Sequence, residues 1–148
     1  MNKKYACYCG LYCKNCAVKV KVEPAAKTLY NEMKKLGFEG IMSFFPDGET
    51  FWKFLKTMSS KGVCISCKAG SGNPACEIRL CAKNKKVEMC ALCKDYPCKR
   101  LDTLFKGYSM LKRDNAVLRD KGLKAWGKIQ DDRKAKGISL AYSAKGKK

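Results

Sequence analysis

The chain has 148 residues, of which 46% are hydrophobic, and this length and composition fit one globular domain and exclude a disordered tail. Thirty-two Lys and Arg against thirteen Asp and Glu give a net charge of +19, which disfavours a basic partner and favours acidic or phosphate-rich ones. Because histidine is absent, His-based catalytic triads, His-ligated haem and mixed cysteine-histidine zinc fingers are excluded.

The first residues, from Met1 to Cys7, begin with basic side chains and lack a following apolar region, so we expect no secretory signal. No apolar run approaches the length that spans a membrane, and no membrane partner is expected. These features predict a cytoplasmic protein, in which clustered thiols serve as ligands more often than they form disulfides.

Two helices are predicted in a helical insert over residues 24–60. Glu23-Pro24 favours the start of a helix over about 24–36, with Gly37 as its stop. One face of this helix carries Leu29, Met33 and Leu36. After the turn at Pro46-Asp47-Gly48, a second helix is expected to end near Gly62. One side of it carries Phe51, Phe54, Leu55 and Met58, and these aromatics are expected to form core.

Further helices are predicted after residue 73. Pro74 favours a short helix from Ala75 to Lys83. The segment 99–136 contains two helical patterns, and Gly137 is the expected stop. The first pattern contains Leu101, Leu104, Phe105, Leu111 and Leu118, and the second contains Leu123, Trp126 and Ile129. No strand pattern is convincing. Residues 1–138 are therefore predicted to form a single metal-binding domain, and residues 139–148 a basic flexible tail.

The eleven cysteines fall into two blocks, at 7–16 and 64–98. Three pairs have two residues between them, 13/16, 64/67 and 90/93, whereas random placement would give about 0.8 such pairs. A Cys-x-x-Cys turn aims two thiolates at one ion, and two such turns supply a tetrahedral site with bonds of about 2.3 Å. The expected fold class is therefore mainly α with irregular metal-knuckle loops, in a small cysteine-rich domain stabilised by metal.

Sulfur-only coordination excludes magnesium and calcium and leaves zinc or an iron-sulfur cluster. Zinc is favoured because the cysteines lie on short separated arms. The alternative is an iron-sulfur cluster, because Cys9-x3-Cys13-x2-Cys16 has the spacing found in radical S-adenosylmethionine enzymes, although Asn15 stands where those enzymes usually carry an aromatic residue. Disulfides and simple burial also stay open. One grouping consistent with the spacing places Cys64, Cys67, Cys90 and Cys93 in one site, with Cys13 and Cys16 joining Cys9, Cys76, Cys81 or Cys98.

Ten of the eleven cysteines lie in four motifs, which are Cys9-Gly10-Leu11-Tyr12-Cys13-Lys14-Asn15-Cys16, Cys64-Ile65-Ser66-Cys67, Cys76-Glu77-Ile78-Arg79-Leu80-Cys81 and Cys90-Ala91-Leu92-Cys93-Lys94-Asp95-Tyr96-Pro97-Cys98. Together these motifs resemble domain-of-unknown-function family 3795, a family of small cysteine-rich proteins regarded as zinc-binding. The resemblance covers roughly residues 7–100. It implies that the metal ligands are Cys9, Cys13, Cys16, Cys64, Cys67, Cys76, Cys81, Cys90, Cys93 and Cys98. Cys7 is an addition to the pattern and is not assigned as a ligand.

Three functions stay open. Ligand-only cysteines, without a paired acid and base, favour a non-catalytic binding or adaptor module with an unidentified protein partner. Residues 99–148 carry fifteen basic and five acidic side chains, which would suit nucleic acid, with Arg133 among the phosphate contacts and Trp126 available for stacking. An iron-sulfur or thiol redox protein is the third, with Cys7 near Lys3 and Lys4 as its reactive thiol.

Overall fold

A computed structural model describes residues 2–62 and 66–140 of the chain, and its regular structure is helical. The helices are α1 (Glu23–Lys35), α2 (Gly48–Ser60), α3 (Glu77–Asn84), α4 (Asp102–Gly107) and α5 (Leu111–Ala135). Short 3-10 turns connect them, and the described residues contain only isolated β-bridges, so the mainly helical class is confirmed. Cys64 and most of the predicted tail, residues 141–148, lie outside the described residues.

Both helices of the predicted insert form where the sequence pattern places them. Pro24 lies in the first turn of α1, which continues a π-helical segment, Val18–Val22, without a break in helical backbone geometry. Lys34 and Lys35 in its last turn interact favourably with the negative end of the helix dipole, and Gly37 follows with a left-handed backbone. Local signals therefore fix the C-terminal end of α1, whereas helical geometry extends upstream of its predicted start.

Residues 17–64 form one compact unit, in which α1 and α2 pack against each other. Its core contains Ala26, Met42, Trp52 and Leu55, and the rings of Tyr30 and Trp52 lie 4.9 Å apart. The expectation that all the α2 aromatics form core is wrong. Phe51 and Phe54 are 45% and 52% exposed, because they lie on the flank of the helix rather than on its packed face.

Residues 1–16 and 65–148 form a second compact unit. Its buried core consists of Ala6, Tyr12, Met89, Ala91, Leu118 and Trp126. Tyr12 meets the fully buried Trp126 edge-to-face, with their ring centroids 5.7 Å apart.

The two helical patterns predicted after residue 99 meet within α5, which departs from helical geometry at Gly122 (φ 76°, ψ 178°). The single-domain arrangement over 1–138 stays a prediction.

None of the helices described between residues 2 and 140 is both long enough and apolar enough to cross a lipid bilayer.

Candidate metal centre

Two of the three Cys-x-x-Cys pairs adopt the same backbone turn. Cys13–Asn15 and Cys90–Leu92 are 3-10 turns, and each is closed by the N–H of the second cysteine. Cys16 donates to the Cys13 carbonyl at 3.2 Å, and Cys93 donates to the Cys90 carbonyl at 3.0 Å. The third pair is described only at Cys67, since Cys64 lies outside the described residues. The two turns therefore lie where the Cys-x-x-Cys spacing predicts them. That these loops bind metal stays a prediction.

Four cysteines meet near the N-terminus, and we call Cys7, Cys9, Cys13 and Cys67 the N-terminal thiol group. The Cys7 Sγ lies 3.1 Å from the Cys13 Sγ, and Cys9 and Cys67 lie near enough to Cys7 to influence its pKa. The chain folds back over residues 6–12, where Ala6 pairs with Tyr12 and the Cys7 N–H donates to the Leu11 carbonyl at 2.8 Å. This tight loop places Cys7 and Cys9 beside the Cys13 turn.

Cys67 reaches the N-terminal thiol group through buried polar contacts of its own loop. Ser66 is fully buried and donates its hydroxyl to the Lys4 carbonyl, while the Ala69 N–H donates to the Ser66 oxygen at 3.2 Å. Arg79 braces the same loop, since its guanidinium donates to the Ser71 carbonyl at 3.0 Å and to the Asn73 carbonyl at 2.7 Å. Arg79 is 9% exposed, so its charge is used to hold this loop.

Ionisation of one thiol in the N-terminal thiol group changes the pKa values of its neighbours. The pKa of Cys7 is held far below its usual range, chiefly because the Cys13 thiol, followed by those of Cys67 and Cys9, donates to its thiolate. The pKa values of Cys9 and Cys67 are raised, first by their hydrogen bonds to Cys7 and then by burial. One thiolate therefore forms readily, and a second needs a compensating cation.

Four further cysteines, Cys81, Cys90, Cys93 and Cys98, line a cavity of about 100 Å³, and we call them the C-terminal thiol group. The Cys90 N–H donates to the Tyr8 carbonyl at 2.7 Å, which fixes the Cys90 turn against the N-terminal segment. Burial raises the pKa of Cys90 to about 11, with further contributions from Cys98, Cys81 and Cys93. Cys76 interacts electrostatically with both Cys67 and Cys90.

This arrangement differs from the grouping expected from spacing. Cys67 interacts with the N-terminal cysteines, whereas Cys90 and Cys93 share a cavity with Cys81 and Cys98. Cys7, which the sequence pattern leaves unassigned, contacts the Cys13 thiol at 3.1 Å, and the thiols of Cys67 and Cys9 also influence its pKa. Cys16 lies at the end of its turn, where it forms a parallel bridge with Leu140. The cysteines group differently from their spacing because two hydrogen bonds join segments that are remote in the sequence. Ser66 bonds to the Lys4 carbonyl, and the Cys90 N–H donates to the Tyr8 carbonyl.

Both groups offer only sulfur donors, which suit zinc, but their sulfur atoms are not arranged as zinc ligands in this structure. Within residues 2–62 and 66–140, no set of three or more Cys, Asp or Glu side chains stands in positions that could hold a metal ion. Two thiolates on one tetrahedral zinc lie about 3.8 Å apart, given bonds of about 2.3 Å, whereas the Cys7 and Cys13 sulfurs are 3.1 Å apart. Metal binding would therefore replace these thiol-thiol contacts and spread the sulfurs.

Helix α5 holds the cysteine loop at both ends. Asn115 donates its side-chain amide to the Cys9 carbonyl at 2.9 Å, and Asn15 donates to the Gln130 carbonyl at 2.8 Å. A Cβ on Gly10 would lie 1.8 Å from the Asn115 Oδ1, so this approach requires glycine. Asn115 was not predicted from the sequence, although a polar residue on a predicted core helix is a usable signal.

An ion pair is buried within α5 itself. Arg133 donates through both terminal guanidinium nitrogens to the Asp114 carboxylate, and Gln130 donates to the same carboxylate at 3.0 Å. In the nucleic-acid alternative, Arg133 is a candidate phosphate contact and Trp126 a candidate for stacking on bases. Both are buried, at 5% and 0% exposure, so neither side chain is available for such a contact in this fold.

Comparison with known proteins gives a family without an assigned activity. The model of a family described as a protein of unknown function (DUF3795) matches residues 5–103. This is more than half of the chain, and the chain belongs to that family. Neither the curated proteins nor the solved structures gave a match.

Proposed function

We propose that this family member binds zinc through cysteine thiolates, and that the metal stabilises a small binding or adaptor module. The observation that carries the proposal is the meeting of Cys67 with Cys7, Cys9 and Cys13, which come from a distant part of the sequence. Such convergence of soft sulfur donors is typical of structural zinc sites, which stabilise folds built from irregular segments.

The electrostatics of the N-terminal thiol group support a cation there. Cys7 loses its proton readily, and its negative charge then opposes ionisation of Cys9 and Cys67. A bound divalent cation would neutralise the first charge and lower the pKa values of the remaining thiols. The donors contain no imidazole or carboxylate, which favours zinc over harder ions.

The size of the cavity at the C-terminal thiol group supports an ion rather than a metabolite. The volume of this cavity is about 100 Å³. Pockets for small organic ligands usually measure about 300–1,000 Å³. Four thiols around so small a space are better suited to coordinating one ion than to enclosing a substrate.

Titration with Co²⁺ tests the proposal, because Co²⁺ reports tetrahedral thiolate coordination by its visible absorption. Protein stripped of metal under reducing conditions is expected to take up about two Co²⁺ with thiolate charge-transfer bands, and Zn²⁺ should displace both ions. The variant Cys7→Ser is expected to lose one of the two Co²⁺ ions, whereas Lys61→Ser, at an exposed position of the α1–α2 unit, is the control and keeps both. Weak spectra typical of octahedral oxygen ligands, or no uptake, would contradict the proposal.

A further inference from the structure

The α1–α2 hairpin has one apolar side and one cationic side. Leu29, Phe51 and Phe54 each immediately precede a residue that packs between the helices, namely Tyr30, Trp52 and Leu55. Glu23 at the start of α1 lies close to Gly62 just beyond α2, so the two helices run antiparallel. In an antiparallel pair, residues that precede the packed positions lie on the same side of both helices. These side chains, with Leu36 two turns after Leu29, form what we call the apolar face.

The opposite side of the α1–α2 hairpin carries lysines. Four lysines each immediately follow a buried or partly buried core residue of the hairpin, and they are Lys27, Lys34, Lys53 and Lys56. All four are exposed. The charged side chains are therefore separated from the apolar face by the thickness of the helices, about 10 Å.

The apolar face is large enough for a stable contact. Leu29, Leu36, Phe51 and Phe54 are 47%, 73%, 45% and 52% exposed. With about 150–200 Å² for each side chain, these four expose about 300–450 Å². The segment that joins the helices exposes a further area of about 250–350 Å² at Ile41, Phe44 and Phe45, which are 39%, 80% and 49% exposed and lie at the end of the hairpin. A standard interface buries about 800 Å² on each partner, of which a little over half is apolar.

The distribution of charge favours a second copy of the chain as the partner. Residues 17–64 carry eight lysines and five acidic residues, so they contribute only +3 of the net +19. If two apolar faces meet, the two lysine sides point outward and stand about 20 Å or more apart. That separation exceeds the Debye length of about 8 Å at physiological ionic strength, so repulsion between them is screened. A membrane surface would meet the same face with the lysines turned away from its anionic headgroups.

We propose that the apolar face of the hairpin docks on the same face of a second chain and forms a four-helix bundle across a two-fold axis. Two antiparallel hairpins stacked face to face give the layered packing of such bundles, and a two-fold contact requires a self-complementary surface. The apolar face meets that requirement, because Glu32, which precedes the packed Met33 and so lies on the same side, is paired within its own helix with Lys35 at 2.7 Å. Residues 17–63 contain no cysteine, so the dimer does not depend on the proposed metal.

Sedimentation equilibrium on the full-length protein, with and without chelator, tests this assembly. We expect a concentration-dependent approach to twice the 16.6 kDa of one chain, in either condition. Leu29→Lys and Phe54→Lys are expected to weaken self-association at least tenfold. Asn31→Lys is the matched control, since it adds the same charge to the exposed lysine side of α1, and it should leave the dimer intact.

Circular dichroism of each variant separates loss of assembly from loss of folding. A folded, monomeric Leu29→Lys variant beside a dimeric Asn31→Lys variant would support the proposal. A monomeric wild-type protein at every concentration would overturn it, as would equal dissociation of the two variants. Wild-type monomers that bind phosphatidylserine vesicles would also overturn it and would identify the face as a membrane contact.

Discussion

The buried ion pair between Asp114 and Arg133 provides a quantitative test of the fold around the cysteines. The side chains are only 3% and 6% exposed, and replacing Arg133 with Met would leave the Asp114 carboxylate with Gln130 as its remaining described donor. Removing one partner of a buried pair typically costs about 3–5 kcal/mol, because the other charge stays desolvated. We expect Arg133→Met to lower the free energy of unfolding by that amount.

Urea unfolding at constant metal content measures this loss. With a slope of about 1–3 kcal/mol per molar urea, the midpoint should fall by at least about 1 M. The control is Lys3→Met, which removes an exposed pair with Glu88 in the same compact unit and should cost no more than about 1 kcal/mol. The double variant Asp114→Leu/Arg133→Met should be less destabilised than the sum of the two single variants. Equal effects of Arg133→Met and Lys3→Met would refute the reasoning.

Three further predictions concern the cysteine-bearing unit. Cys7→Ser should reduce the bound zinc measured by elemental analysis by about one ion per chain, and unchanged zinc would remove Cys7 from the ligands. Gly10→Ala should destabilise the fold by more than Gly70→Ala, because only at Gly10 does the added carbon meet a buried amide; equal thermal midpoints would contradict this. Leu118→Ala should cost about 2–5 kcal/mol in chemical unfolding, and the half-exposed Leu92→Ala about 0.5 kcal/mol or less; similar losses would place Leu118 outside the core.

Local signals account for the parts of the fold that the sequence predicts correctly. Gly37 follows the end of α1 and the turn at Pro46-Asp47-Gly48 precedes α2, so both helices lie in the predicted segments, although helical backbone also extends upstream of Pro24. Periodicity alone is less informative about which side of a helix is buried. Phe51 and Phe54 share a side of α2 with core residues, but Trp52 and Leu55 take the packed positions.

The grouping of the cysteines depends on contacts that no local pattern contains. Cys67 reaches Cys7 because Ser66 bonds to the Lys4 carbonyl, across most of the first half of the chain. Spacing therefore identifies the thiols without identifying their neighbours. The pairing of Asp114 with Arg133 is similarly hidden, since it joins two predicted helical patterns across the break at Gly122.

Metal analysis of protein purified without oxygen or added metal, combined with its visible spectrum, tests the proposed zinc binding most directly. The expected result is a colourless protein that contains about two zinc ions per chain and no acid-labile sulfide. Loss of that zinc to a chelator should lower the stability of the fold. A protein without bound metal would contradict zinc binding, and a brown protein with iron and sulfide would replace it with an iron-sulfur centre.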